Sequence, residues 1–233
     1  LKGYPHIMIL YDPQLAVSLR SFGIQIPIHD SRATRTLAAL RHHPNLGSHR
    51  RWHRDRLDLQ LSPKDLLRAH TSAYVHDLYA DSQSLARIIS ATYELVDDEG
   101  NYHRYAPDRA TRPLSDLFAR MLEIAAGTAQ CGQLALDSGF CYYFSGGMHH
   151  AHADHGSGFC LINDIVIAAR KLQAEMGVGK IWVVDTDAHK GDGTAAITQG
   201  DDSIKTLSIH MANGWPLDGP KTLSNGNSNP AFV

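Results

Sequence analysis

Residues 145–160 read Ser-Gly-Gly-Met-His-His-Ala-His-Ala-Asp-His-Gly-Ser-Gly-Phe-Cys, and residues 183–193 read Val-Val-Asp-Thr-Asp-Ala-His-Lys-Gly-Asp-Gly. The first stretch sets two adjacent histidines on a glycine-rich loop. The second runs an apolar strand into Asp-x-Asp-x-His and then Gly-Asp-Gly. Their flanks decide the fold class. Leu114–Asp137 carries apolar residues at helical spacing and ends at Gly139, and Cys141–Phe144 follows as a strand. Between the two stretches, Leu161–Met176 reads as a helix closed by Gly177, and Ile181–Val184 as a buried-type strand. Thr194–Thr198 is a short helix and Ile204–Ile209 another strand. Strands alternating with helices imply βαβ units and an α/β fold with a mainly parallel sheet. In such sheets ligands sit at the carboxyl ends of strands, and both quoted stretches fall there.

Further out the signals thin. His6–Tyr11 is a first strand, Ser31–His42 a helix with a basic outer face, and Asp97–Tyr105 a loop containing Gly100. Ser62-Pro63-Lys64-Asp65 marks a helix start, with Ser62 as N-cap, Pro63 in the first position and Asp65 in the first turn. The tail Pro220–Val233 is loop-like. The 233 residues are read as one domain.

Composition excludes several functions. Hydrophobic content of 43% and charged content of 20% suit a globular protein. A net charge of −2 gives no electrostatic case for nucleic acid or an anionic membrane. No apolar run reaches the roughly 18–20 residues of a membrane span. The three cysteines, Cys131, Cys141 and Cys160, lack disulfide or metal spacing and fit the reducing cytoplasm, with Cys160 read as buried and not nucleophilic. Of the 15 histidines, His42, His43, His49 and His53 lie in a basic stretch and are read as solvated.

Asp187 and His189 stand two apart just beyond a strand, where both side chains can reach one metal ion. Mixed oxygen and nitrogen donors fit Zn²⁺, Fe²⁺ or Mn²⁺. The pair alone could equally cap the next helix; a histidine pair in a second strand-end loop favours the metal. His149 and His150 would each need an acceptor to fix the tautomer, and Asp185 and Asp192 are the natural ones. A histidine pair beside a metal is what a water-activating hydrolase requires. Ser145-Gly146-Gly147 lacks the spacing of a phosphate-cradling loop. Gly158 would allow close approach of a substrate, and Phe159 and Trp215 each read as core or as an apolar wall beside the site.

At these residues the chain resembles the histone deacetylase family, with its bacterial acetylpolyamine and acetoin-utilisation relatives. The segments are Gly146–Ala151, Gly158–Cys160, Asn163–Ile165 and Asp185–Gly193, with weaker matches at His29–Arg35, His70–Tyr74 and Ser208–Pro216. The resemblance implies an arginase/deacetylase three-layer fold around a parallel sheet of about eight strands. It implies that Asp187 and His189 are zinc ligands, His150 the general base and acid, and His149 its electrostatic partner. Asp192 would pair with His150 and Asp185 with His149. A potassium ion would lie near Asp185, Asp187, His189, Ser208 and the Ile209 backbone. Phe159 and Trp215 would flank an acyl-lysine tunnel, and Arg35 would stand near an inner cavity. Lys190 replaces a second histidine common in the family.

Family members carry a third zinc ligand, an Asp, and a carbonyl-polarising Tyr further on than Val233, and their last strands lie mid-sheet. The chain is therefore read as an incomplete deacetylase domain, its missing part supplied by a complementary C-terminal fragment or a second copy. The expected activity is zinc-dependent removal of acetyl groups from acetyl-lysine or a small N-acetylated amine. Two alternatives stand beside it: an arginase-like two-metal ureohydrolase, and a truncated, inactive domain that binds a partner.

Overall fold

The computed structural model describes residues 6–16, 18–28, 31–44 and 52–217. His29, His49 and the tail Pro220–Val233 lie outside them. The elements run β1 (His6–Leu10), α1 (Arg32–Arg41), β2 (His53–Arg54), α2 (Pro63–Leu66), α3 (Ser72–Ala80), α4 (Ser82–Thr92), α5 (Leu117–Ser138), β3 (Gly139–Tyr143), α6 (Asp164–Met176), β4 (Ile181–Asp185), α7 (Asp192–Ile197) and β5 (Ile204–Ser208). Among the described residues no helix is long and apolar enough to cross a membrane.

The protein is mixed α/β, and its strand pairs are parallel. The described strands form two sheets, in the orders β2-β1-β3 and β4-β5, where the resemblance implied one. Register puts His6 opposite Gly139, and Asp185 opposite Ser208. Helices α5 and α6 pack side by side, with α5 on β3. Arg170 and Gln173 of α6 reach the second sheet's connections, donating to the Ile197 and Ser203 carbonyls. The strand ends β3 and β4 thus emerge on one side, both leading into loops.

Local chemistry explains most boundaries. Ser62 and Asp65 form the reciprocal cap expected at α2, the Ser62 N–H donating to Asp65 at 2.9 Å. Gly139 and Gly177 close α5 and α6 in left-handed conformations, with φ of 85° and 69°. Helix α6 starts at Asp164 and not at Leu161. Asn163 caps it, its side chain accepting from the Val166 N–H. Leu161 and Ile162 are fully buried in the loop before the cap, so their apolar spacing reflected core burial and not helix.

The main core joins Phe22, Ile24, Leu66, Leu78, Ile89, Leu117, Ile162 and Ile167, and a smaller one joins Ile9, Tyr11, Leu37 and Trp52. Two expectations of burial fail. Trp182 and Val184 of β4 are 69% and 58% exposed, and Phe140 and Tyr142 of β3 are also open, so one face of each strand is uncovered. His53, read as solvated, is half-buried in β2 with Nε2 2.9 Å from the Tyr11 carbonyl.

His70 is a buried strut beneath the histidine loop. Its Nδ1 lies 2.9 Å from the His152 carbonyl, and its Nε2 accepts from the Asn163 N–H at 3.0 Å. A proton on Nε2 would face that N–H, and burial lowers the imidazole pKa to about 4. The folded-state pKa is therefore depressed below the unfolded value. The stabilisation is complete above pH 6.5 and is lost as pH falls towards 4, amounting to about 3 kcal/mol. Urea unfolding at pH 7.5 and pH 5 should show His70→Asn with a weaker pH dependence than the wild type; equal slopes would refute the strut.

Candidate active site

β3 ends at Tyr143, and the chain turns through Gly146 and Gly147, with φ of 80° and 82°. Only glycine adopts such angles without cost. The turn closes when the His149 N–H donates to the Gly147 carbonyl at 2.9 Å. Side chains of adjacent residues normally diverge, but here the His149 and His150 rings lie 3.9 Å apart at 50°. Both are buried, at 6% and 4% exposure. The N-terminus of α7 is fixed against this loop, the Thr194 N–H donating to the His149 carbonyl at 2.9 Å. That contact delivers Asp192.

Each imidazole meets its own carboxylate. His149 Nδ1 lies 2.6 Å from Asp185 Oδ2, and His150 Nδ1 lies 2.7 Å from Asp192 Oδ1. With Nδ1–H donating to a carboxylate, Nε2 is the basic nitrogen of the neutral ring. Burial alone would lower the His149 pKa. The Asp185 hydrogen bond and charge, with Asp187 and Asp192 behind, outweigh burial and raise it. Burial pushes the Asp185 and Asp192 carboxyls up, but the facing histidines hold both below the ordinary range. Asp192 also serves a second ring, its Oδ2 lying 3.3 Å from His152 Nε2. Cys160 is buried as expected, and burial pushes its thiol up to about 12.

β4 carries Asp185 at its last position, and Asp187 and His189 follow in the bend beyond. Asp187 Oδ1 and His189 Nδ1 lie 3.1 Å apart, both side chains about half-exposed. Two ligands on a tetrahedral zinc stand about 3.3 Å apart, from bond lengths of roughly 2.0–2.1 Å. At 3.1 Å the two side chains are within hydrogen-bond distance of each other, and a carboxylate beside an imidazole is a donor set of the type zinc takes. Among the described residues no group of three or more His, Cys, Asp or Glu is arranged so that it could hold a metal ion. Of the residues assigned to a monovalent cation, Asp185 and Ser208 sit opposite each other at the ends of β4 and β5, and the Ile209 N–H donates to the Asp185 carbonyl.

Of the three residues expected as walls, Trp215 and Gly158 stand beside His150, and Phe159 packs on the core. Trp215 stacks edge-on to His150 at 4.7 Å and lies 6.1 Å from His189. Gly158 (φ 53°) backs onto both, since a Cβ there would lie 2.6 Å from His150 Cδ2 and 2.6 Å from Trp215 Cη2. Phe159 has φ of 66°, an outlier for an aromatic residue, and is held by its N–H donating to the Thr92 carbonyl. Its ring stacks on Tyr93 and lies under the Arg104 guanidinium. A cavity of about 690 Å³ runs from Asp187 past Tyr143 and Gly146 to Arg32. Arg32 lines this cavity and Arg35, about one helical turn further along α1, does not; both are exposed.

The histone deacetylase domain model matches residues 26–230. The chain belongs to the histone deacetylase family. The matched span holds both histidine–carboxylate pairs, Asp187, His189, Ser208, Ile209, Gly158, Phe159 and Trp215. Its relatives include bacterial and fungal proteins. An uncharacterized protein of Picosynechococcus sp. is 43% identical over 97 residues, 42% of this chain and 32% of its own length. The acetoin utilization protein AcuC of Staphylococcus aureus is 44% identical over 77 residues, 33% of this chain and 20% of its own. The histone deacetylase HOS1 of Saccharomyces cerevisiae is 36% identical over 90 residues, 39% of this chain and 19% of its own. The matched segments thus take up a third or less of each relative.

Sequence reading missed residues that hold this deacetylase-family loop in place. Asn163 donates through Nδ2 to the Ala151 carbonyl and to Thr194 Oγ1, both at 3.0 Å. Its signal was present, as a cap residue directly before an Asp and an apolar run. Gly158 gives a direct test of the walls. Gly158→Ala should lower turnover at least about tenfold by displacing His150 or Trp215, while the left-handed backbone costs about 1 kcal/mol. Steady-state assay beside thermal unfolding checks it; a stable variant with wild-type turnover would show that the close approach is idle.

Proposed function

We propose that the protein is a zinc-dependent amide hydrolase that removes acetyl groups from acetyl-lysine or a small N-acetylated amine. The observation that carries this reading is the arrangement of two histidine–carboxylate pairs, Nδ1 to carboxylate in each, beside Asp187 and His189. The family membership and the names of the AcuC and HOS1 relatives support it.

Zinc held by Asp187 and His189 would supply Lewis-acid polarisation of the acyl carbonyl and acidify the attacking water. The remaining work falls to the chain itself. His150, fixed by Asp192, takes a proton from water at Nε2 as the C–O bond forms, then gives it to the nitrogen of the leaving amine. His149, kept partly charged by Asp185, stabilises the negative charge that develops on the acyl oxygen. Trp215, Gly158 and Phe159 line the approach and keep the acyl chain against His150. A potassium ion near Asp185 and Ser208 would hold the ends of β4 and β5 together. The cytoplasm is the proposed location.

The test uses the natural gene product with an acetyl-lysine peptide and an acetylated diamine. His150→Ala should lower kcat by roughly 10²–10⁴-fold. A zinc chelator should abolish turnover, and added zinc should restore it. Wild-type turnover in His150→Ala, or in the chelated protein, would remove this mechanism.

A further inference from the structure

Asp164 opens α6 and is fully buried. An acidic residue in a first helical turn ordinarily answers the helix dipole from the surface. Asp164 instead reaches back to a loop 16 and 17 residues earlier in the chain. Its Oδ1 accepts from the Met148 N–H at 2.7 Å, and its Oδ2 accepts from the Gly147 N–H at 2.9 Å. Oδ2 also meets the Thr128 hydroxyl of α5 at 2.5 Å. A buried carboxylate is costly unless donors surround it. Here the donors are the backbone of the turn itself, ending at the residue before His149.

The turn is also shaped around this carboxylate. Gly146 packs on it so closely that a Cβ would lie 2.5 Å from Asp164 Oδ2 and 2.4 Å from Thr128 Oγ1. Gly147, of nearly the same φ, has nothing within 4 Å of that position. The carboxylate thus grips one side of the turn, and the His149 and His150 rings leave from the next two residues. Nothing else described holds the Gly147 and Met148 N–H groups.

We propose that Asp164, with Thr128 behind it, is a positioning residue that sets the backbone of the Gly146–Met148 turn and thereby aims both imidazoles at their carboxylates. The activity readout rests on the deacetylase reading; the geometry does not. An amide at 164 keeps one acceptor oxygen but turns an NH₂ towards a backbone N–H. The turn must then shift, and a displacement of about 1 Å at a catalytic group costs up to about 10² in rate.

The experiment compares Asp164→Asn, Thr128→Val and Thr128→Ser in the natural gene product. It reads kcat and KM on an acetyl-lysine peptide, thermal unfolding, and the proton NMR signals of the Nδ1–H groups of His149 and His150 at one fixed pH. Asp164→Asn should lose about 10–100-fold in kcat, with KM changed less than about threefold, and both ring protons should move. Thr128→Val should lose less in the same direction, and Thr128→Ser should restore wild-type values. A purely structural Asp164 predicts a lower melting temperature with unchanged kcat and unmoved ring protons in the folded variant, and that result overturns the proposal. If Asp164→Asn does not fold, Thr128→Val decides: wild-type ring protons and kcat there overturn it. A wild type without turnover whose ring protons still move in Asp164→Asn would sink the deacetylase reading and leave the positioning role standing.

Discussion

Gly193 stands so close to the histidine loop that a Cβ would lie 2.4 Å from the Ala151 carbonyl oxygen and 2.6 Å from the His150 carbonyl carbon. Backbone meets backbone here, and the site depends on that contact. It lets α7 seat its first turn on the loop after β3, although α7 belongs to the connection after β4. Asp192 reaches His150 only because of it. Asn163 and Thr194 complete the junction with hydrogen bonds around Ala151, so the start of α6, the start of α7 and the loop meet at one buried point. Any larger residue at 193 would separate the carboxylate from its imidazole by moving a helix, not a side chain.

The junction is polar, and that sets its energetics. Four ionisable groups, His149, His150, Asp185 and Asp192, are brought together with limited solvent. Each removal from water is unfavourable, and only pairing offsets it. The same pairing gives the groups their chemistry, since an imidazole fixed by a carboxylate at Nδ1 presents Nε2 in a known direction. Phe159 adds local strain at φ of 66°. Stability for this region comes from the apolar layer beneath, where Leu161, Ile162, Val166 and Ile167 are fully buried. Function and stability therefore occupy opposite sides of one loop.

The parts legible in the sequence were those where one residue type has one physical use. Gly139 and Gly177 ended helices because left-handed backbone favours glycine, and Ser62 with Asp65 announced a capped turn. The positions of Asp185, Asp187, His189 and Asp192 followed from an apolar strand running into a polar bend. Less legible were features set by packing at a distance. Leu161 and Ile162 matched helical spacing while lying in a buried loop, and only Asn163 marked the true start. Trp182 and Val184 have the composition of buried strand, yet exposure depends on what lies across the sheet. Arg32 and Arg35 differ by about one helical turn, so which lines a cavity depends on the helix's rotation. Asp164 was quoted only within a resemblance, because its use lies in donors 16 and 17 residues away.

The pairing of β1 with β3 has a consequence in time. His6 lies opposite Gly139, 133 positions along the chain, with α1 to α5 between. At roughly 5–20 residues per second, β1 leaves the ribosome on the order of ten seconds before its partner exists. Helices α3 and α4 can pack on each other in that interval, because their contacts are local. β1 can pair with β2 and set Ile9 against Leu37 and Trp52 in that interval, but its other edge stays open because β3 is still unmade. That edge of β1 must wait for β3, and the loop that carries His149 and His150 acquires its supporting sheet edge only when that wait ends.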